Sequence, residues 1–451
     1  MIKQKQIAGY GLYLLLILLP FQTRYFLVER SIGGAFFEYG SFTVYATEIL
    51  LWFLVLYEIF WFLFRKRYKN IPPDERVHRL ILKFFQERPI IAWSLIFLSY
   101  AALSALWSVN REQTLFYIIR LTEALLVLWL ITLSREKKRS MLLTFVIGVA
   151  LQSAFGIYQF FTQIVSGSSI LGIATQIPDT RGVAVVETEL RRYLRAYGGL
   201  PHPNILGGWI VAGLIALVAL IYDSAIRAGA FSRSRLVLPF LLVYSLLFTA
   251  LILTFSRSAG AAFVLGIGVF FAYGVFHKKT RYRGLELLCL TAILSIFFGI
   301  LLKEPLTERG TGLVFNRNSG RLEQKSSWER SQGLRDAWIL YKKNPLLGSG
   351  LGTYTTALVR LYPERPVYEV QPAHSVPVLI SVELGIVGAF FAFLSFYHIV
   401  AYLLRRRKIL GIVLFCAFFA FSLFDHYLWT LYSGVLLIGV CFGFGIVSDD
   451  E

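Results

Sequence analysis

Cysteine is scarce, three residues in 451, and Cys289, Cys416 and Cys441 all lie inside apolar runs. With none in a long loop, a disulfide framework is not expected, nor is a cysteine metal site. Histidine numbers six, and no pair has the i, i+4 or His-x-His spacing of metal ligands, so no metal is expected either. Acidic residues are outnumbered, 27 against 45 Lys and Arg. There is no internal repeat, low-complexity tract or heptad run, which leaves out solenoids, linkers and coiled coils. The first apolar run, Tyr10 to Leu19, has no small-residue cleavage site and is expected to be a first span rather than a removed leader.

What the chain has in quantity is hydrocarbon. Its residues are 56% hydrophobic, and apolar runs of about 20 residues recur along it, the mark of a polytopic membrane protein. The expected fold class is an all-α membrane protein of about twelve transmembrane helices. The runs fall near 7–27, 42–64, 90–107, 114–133, 141–161, 203–222, 236–254, 258–276, 285–302, 376–403, 409–424 and 428–447. The organisation follows: residues 1–302 carry spans one to nine with an outer segment near 162–202, residues 303–375 form a large helical outer loop between spans nine and ten, and residues 376–451 carry the last three spans.

The net charge of +18 would suggest nucleic acid in a soluble chain. Here the basic residues sit in short connections, so topology explains them and no nucleic acid is expected. Arg65–Lys69, Arg135–Arg139, Arg233–Arg235, Lys278–Arg281 and Arg405–Lys408, with Lys3 and Lys5, alternate strictly with connections holding only Arg24, Arg30, Arg111 and Arg257. By the positive-inside rule the first set and both termini are cytoplasmic. The excess charge also suits anionic membrane lipid or a phosphate-bearing substrate. The loop 65–89 reads as a solvated basic connector, with a possible surface helix from Asp74 to Gln86.

The stretch Ser326 to Gly388 holds most of the unusual chemistry. Ser326 and Glu329 have capping-box spacing, which predicts a helix start, and Pro345 with the glycines of Gly348-Ser349-Gly350-Leu351-Gly352 ends that helix. Trp328, Leu334, Trp338 and Tyr341 recur at helical spacing and predict a resting face. The glycine run follows a helix, not a strand, so it reads as a sharp turn and not as a nucleotide loop.

Each candidate residue has two readings. Arg257, between two nearly continuous runs, is either a snorkelling arginine that marks the interface or a phosphate clamp whose planar fork suits phosphate oxygens. Arg330, near the start of the outer helix, is a solvated charge or shares an anion with the helix N-terminus; Arg335 on the same helix is likewise available to an anion. His374, stiffened by Pro372 and Pro377, is a loop histidine or a general base. His202 and His426 also face outward, and any of the three histidines could fill that role. Arg120 and Glu123, three apart within a run, predict an internal ion pair. Glu48, Glu58 and Glu383 are further carboxylates in apolar runs, without the ladder a proton pump would need.

Thr254-Phe255-Ser256-Arg257, Trp328-Glu329-Arg330, Asn344-Pro345-Leu346-Leu347-Gly348-Ser349-Gly350-Leu351-Gly352, Ala373-His374-Ser375 and Glu383-Leu384-Gly385-Ile386-Val387-Gly388 together resemble the O-antigen ligase and polymerase superfamily, over roughly 195–390. The resemblance implies a C-type glycosyltransferase-like membrane fold. It implies transfer of a glycan from an undecaprenyl pyrophosphate carrier to an acceptor sugar hydroxyl, on lipid A core or another glycan, at the periplasmic face of a bacterial inner membrane. It further implies inversion at the anomeric carbon, with no cofactor and no metal. Carried over residue by residue, Arg257 and Arg330 match pyrophosphate-binding arginines and His374 matches an essential histidine. Arg195 and Asn204, in Arg195-Ala196-Tyr197-Gly198-Gly199 and Pro203-Asn204, match a looser substrate-binding pattern. Members commonly have His-Asn where this chain has His374-Ser375, so no role is carried to the second position.

Within the superfamily, one dominant outer segment suits a ligase, whereas polymerases carry two comparable loops. Arg309 to Gly320 fits a polymerase Arg-x10-Gly spacing, which 36 glycines also produce by chance. A transporter of lipid-linked glycans is the rival from another class, and it would need paired half-structures, of which the sequence has no sign.

Overall fold

The computed structural model describes residues 2–64, 89–134, 136–228, 237–311 and 321–447. Each of the apolar runs contains a helix: α1 Ile2–Leu18, α2 Ala46–Phe64, α3 Pro89–Leu103, α4 Arg111–Leu133, α5 Lys138–Thr162, α6 Pro203–Ala228, α7 Val237–Leu253, α8 Arg257–Phe276 and α9 Arg281–Leu301. The outer segment holds α10 Lys303–Thr311, α11 Arg321–Lys343 and α12 Tyr354–Leu361, and the chain closes with α13 Val376–Arg405, α14 Ile409–Phe424, the short α15 Tyr427–Thr430 and α16 Tyr432–Ile446. Of these, α4, α5, α6, α8, α9 and α13 are long and apolar enough to cross a membrane. The other apolar helices among the described residues are shorter or less uniform, so the count of about twelve spans stays an expectation. The expected surface helix at 74–86 and the basic runs at 65–69 and 233–235 lie outside the described residues.

The all-α expectation needs correction at one end of the bundle. The run predicted as 7–27 stops being helical at Leu18, before Pro20. Strand β1 (Arg24–Val28) then pairs antiparallel with β4 (Phe42–Tyr45), with an irregularity between Phe26 and Val28. The tip pairs β2 (Ser31–Ile32) with β3 (Ala35–Phe36), and β5 (Val185–Glu187) pairs with β6 (Arg192–Leu194) in the 162–202 segment. Aromatic and β-branched residues in Tyr25-Phe26-Leu27-Val28 favour a strand even though the stretch is apolar enough to read as a span.

Hydrogen bonds sort the connections into two groups. Arg30 donates to Glu112 at 2.7 Å, Tyr39 to Gln371 at 3.2 Å and Asn204 to Asp425 at 2.8 Å, which ties the first hairpin, the outer segment and the α14–α15 junction together. The basic α4–α5 connection binds elsewhere: Arg139 meets Asp223 at 3.2 Å and Lys138 donates to the Val447 carbonyl at 3.1 Å. Helix α6, buried almost throughout, is the central post against which α5, α7, α8 and α14 pack. The expected pair in α4 is present: Arg120 lies 3.1 Å from Glu123 and also 2.6 Å from Glu48.

Two features of the outer stretch differ from expectation. Helix α11 begins at Arg321, so Ser326 does not cap it. Of its expected resting face, Trp328, Leu334 and Trp338 point outward, 53%, 51% and 59% exposed, while Tyr341 packs against the core; Asp336, Ala337 and Leu340 are buried.

The larger finding concerns α13, which breaks at Gly385 (φ 65°, ψ −172°). A break inside a membrane helix frees backbone groups that hydrocarbon cannot satisfy. The turn Asn344–Gly352 supplies the partners. Ser349 and Gly350 donate backbone N–H to the carbonyls of Val382 and Glu383 at 3.1 and 2.8 Å, while Ile386 and Val387 donate to Pro345 and Leu346 at 2.9 and 3.3 Å. The buried Glu383 carboxylate accepts from the backbone N–H of Gly352 (2.8 Å) and Tyr354 (3.2 Å) and from Trp429 Nε1 (2.8 Å). Gln113 and Thr114 hold the far side, donating to the carbonyls of Gly352 and Leu351 at 2.7 and 2.9 Å. The glycine run is therefore a plug for the broken helix, and Glu383 is its anchor. A Cβ on Gly385 would stand 2.2 Å from the Leu346 carbonyl oxygen. Gly385→Ala should cost about 3 kcal/mol or more through this clash and the positive φ, read as a lost melting transition or lost monodisperse yield in detergent. Gly299→Ala, with nothing within 4 Å of its Cβ, should match the parent.

Candidate functional site

The plug delivers the chain to the start of α13, and the residues just before that helix are Ala373, His374 and Ser375. Ala373 is fully buried, and Ser375 N–H donates to its carbonyl at 2.8 Å, which turns the chain tightly at His374. The His374 ring meets His426 edge to face, with centroids 5.1 Å apart. His426 stands in the short junction after α14, its Nδ1 2.7 Å from Thr430 Oγ1. The preceding residue, Asp425, is buried and accepts from His426 N–H and from Asn204 Nδ2, each at 2.8 Å.

From Asn204 the network continues inward. Asn204 Oδ1 accepts from Arg195 Nη2 at 2.7 Å, and Arg195 Nε donates to the Thr254 carbonyl at 2.6 Å. His202 Nδ1 accepts from Asn204 N–H at 3.1 Å, so that nitrogen carries no proton and a neutral ring carries its proton on Nε2. A connected line thus runs Asp425–Asn204–Arg195–Thr254, with His202, His374 and His426 around its carboxylate end.

The electrostatics follow from withdrawal of these rings from water, although each keeps an edge at the surface. Burial pushes His202 down to about 3, with Arg195 lowering it further and Asp425 opposing. His426 falls to about 4, by burial and then by His374. His374 is also lowered, by burial foremost; Asp425 opposes, Arg330 lowers it further and Glu329 opposes. For Asp425, burial alone would raise the carboxyl, but His426, His374, His202 and the Asn204 hydrogen bond together hold it below the usual carboxylate range. Three neutral bases around one carboxylate is an arrangement that can take a proton and stabilise the cation so formed.

The six residues singled out from sequence are thus placed unevenly. His374, Arg195 and Asn204 belong to the network or touch it. Arg330, on α11, is close enough to act on the charge of His374. Arg257 is the first residue of α8, three residues beyond the Thr254 carbonyl that Arg195 grips, and Ser256 caps the helix by accepting from Ala259 N–H at 3.3 Å. Arg335 is not brought in: it is exposed and donates to Gln332 Oε1 at 2.8 Å on its own helix. Asp425 was missed as a site residue. Its signal was an acid–histidine pair, Asp425-His426, closing an apolar run.

Beside the cluster lies an apolar groove of about 560 Å³ between α3, α4, α13, α14 and α16. Phe97, Leu125, Phe393 and Phe419 line it, and Phe393 and Phe419 are themselves exposed, so it opens sideways at the lipid-facing surface. Its walls also include Val376 and Pro377, which follow His374-Ser375, and Leu428 and Trp429, which follow His426.

No curated protein matches the chain at a meaningful level. Residues 242–394 match the family model described as O-antigen ligase, a stretch that runs from α7 through the Arg257 turn, α11, the plug and His374 to the middle of α13. That stretch, about a third of the chain, is thus similar to the O-antigen ligase family, in a chain with six helices long and apolar enough to cross a membrane.

Proposed function

We propose that the chain transfers a glycan from undecaprenyl pyrophosphate, or a similar polyprenyl pyrophosphate, to a sugar hydroxyl of an acceptor such as lipid A core, at the outward face of a bacterial inner membrane. The observation that carries this reading is the apolar groove with its end at the histidine cluster. A polyprenyl chain is a long hydrocarbon with no polar group until its head, so it suits a sideways-open apolar groove that meets charge only at one end. The positive-inside reading of the loops puts that end outward.

In this scheme His374 accepts the proton of the acceptor hydroxyl as its oxygen bonds to the anomeric carbon. The bond from that carbon to the pyrophosphate oxygen breaks with its electron pair, and the carrier leaves as polyprenyl pyrophosphate. Attack opposite the leaving group inverts the carbon. Arg257 and Arg330 stabilise the charge that grows on pyrophosphate, each charge-assisted hydrogen bond being worth about 1.5–3 kcal/mol. Asp425, ionised among the histidines, steadies the imidazolium. Ligase and polymerase differ only in the acceptor, and the dominant 303–375 segment favours the ligase.

In a transfer assay with purified protein and a lipid-linked donor, His374→Ala, Arg257→Ala and Arg330→Ala should each lower kcat/KM about 100-fold or more. Near-parental turnover in folded His374→Ala protein would remove the proposed base. Ala392→Trp, a groove wall, should raise the KM for the long-chain donor while sparing a short-chain one. The pH dependence has a fixed sign. His202 and His426 titrate near 3 and 4 when folded against 6.5 in an open chain. The unfolded chain therefore binds more protons between about 4 and 6.5, and stability is lost as pH falls through that window. Because His374 is lowered as well, the acid limb of kcat/KM should lie below pH 6.5; a limb at or above 6.5 would contradict the assignment.

A further inference from the structure

Phe255 takes a left-handed backbone conformation, φ 47°, although it is a bulky aromatic residue. Its ring is buried and stacks near Phe160, with centroids 6.0 Å apart. A bulky residue holds such a conformation only where its surroundings over-determine it, and such places cluster at functional sites. Here the determinants can be named. Thr254 Oγ1 donates to the Leu251 carbonyl at 2.6 Å and accepts from Ser256 N–H at 3.2 Å. Ala196 N–H donates to the Leu253 carbonyl at 2.9 Å. Arg195 Nε donates to the Thr254 carbonyl at 2.6 Å, and Arg309, from α10, donates Nε and Nη2 to the Phe255 carbonyl at 3.3 and 3.2 Å.

Two guanidiniums from separate outer segments therefore hold consecutive carbonyls of one turn, and two residues past Phe255 comes Arg257. A turn that needed only to be closed could be closed by neutral donors. Arg195 and Arg309 grip the carbonyls three and two residues before Arg257, so the backbone that enters α8 is fixed from both segments. Arg309 also belongs to the segment that carries Arg330 on the next helix, so one contact moors that segment to the turn bearing the other arginine.

We propose that Arg195 and Arg309 are positioning residues, which lock the strained Thr254–Phe255 turn so that Arg257 is held ready for the pyrophosphate. The proposal rests on Arg257 as a pyrophosphate ligand, and it gives Arg195 a positioning role in place of direct substrate contact. Arg309 is the cleaner test because it stands outside the Asn204–Asp425 line.

The experiment uses the full chain in lipid nanodiscs and two independent readouts on Arg309→Ala and Arg309→Lys. Amide hydrogen exchange over 253–260 should quicken about tenfold in Arg309→Ala, the scale of one lost charge-assisted hydrogen bond, and stay near parental in Arg309→Lys. Exchange within α6 should not move in either. In the transfer assay, Arg309→Ala should raise the donor KM, and the inhibition constant of inorganic pyrophosphate, about tenfold with kcat within about twofold, and Arg309→Lys should recover most of the loss. Unchanged exchange over 253–260 overturns the clamp. Quickened exchange with an unmoved donor KM overturns the positioning role, as does a lysine variant no better than alanine. A parental protein that transfers nothing from any pyrophosphate donor sinks the proposed reaction, and pyrophosphate protection of 253–260 then decides the clamp by itself. Should Arg309→Ala lose its fold, Arg309→Gln, which keeps one donor for the carbonyl, gives an intermediate value on both readouts or counts against the proposal.

Discussion

The structure depends on a mutual repair of two broken backbones. Helix α13 is interrupted at Gly385, and the turn Asn344–Gly352 has no secondary structure of its own; each satisfies the other's open hydrogen-bonding groups. In water either defect would be filled by solvent. Eight or so residues into a membrane helix, about 12 Å at 1.5 Å per residue, no solvent competes, so the match must be made by the chain itself. This fixes the end of α11 and the start of α13 with respect to each other. His374 stands immediately before α13 and Arg330 stands on α11. The backbone match at the plug, with the pair that Asp336 of α11 makes with Arg365, thus helps to fix where the two stand. Glu383 adds an ionisable link, its carboxylate accepting from three N–H donors.

The second level of order is electrostatic. Asp425, Asn204, Arg195 and the Thr254 carbonyl join the α14 terminus, the α6 N-terminus, the 162–202 segment and the α7–α8 turn. None of these segments is adjacent in sequence, except where Arg195 leads towards α6. Arg195 is held by an amide oxygen on one side and a backbone carbonyl on the other, and Asn204 links it to the Asp425 carboxylate. The imidazoles respond oppositely: withdrawn from water, they stay neutral because burial weakens them as bases. On the proposed reading this division of labour is what the reaction needs, fixed cations for a leaving anion and an uncharged base for an incoming alcohol.

The membrane helices were legible because a 20-residue apolar run has few other uses. Of the motif residues, Arg195 and Asn204 share one hydrogen-bonded line and His374 touches its end through His426; their roles stay proposals. What could not be read came from tertiary pairing. Nothing in Val376–Arg405 announces that its glycine is a break and not a packing contact, since the evidence for the break is a partner turn about 35 residues earlier in the chain. The strand in Tyr25–Val28 looked like the end of a span because hydrophobicity alone does not separate a half-exposed strand from buried helix. Trp328, Leu334 and Trp338 have helical spacing, but spacing shows only that they share a side of α11. The buried side holds Ala337, Leu340 and Asp336, and Asp336 is paired with Arg365 at 2.6 Å.

That inversion of α11 bears on how charge is distributed over the molecule. Inside the bundle, Arg120 is met by two carboxylates and stands over the rings of Tyr45, Phe116 and Tyr432. It is a cation neutralised for the sake of packing, as membrane arginines must be. The arginines of the candidate site stand elsewhere: Arg257 opens α8, Arg195 precedes α6 and Arg330 lies within α11, while the groove walls are nearly all hydrocarbon. A ligand that is hydrocarbon along its length and anionic at its head would find both environments in order, and a ligand lacking either part would leave one unmatched. On the proposed reading, the boundary between groove and cluster, with Val376-Pro377 on one side and Leu428-Trp429 on the other, would be the selective feature of the site. It is built from residues that stand two and three positions after His374 and His426, so on that reading the same two turns of chain would set where the lipid ends and where the chemistry begins.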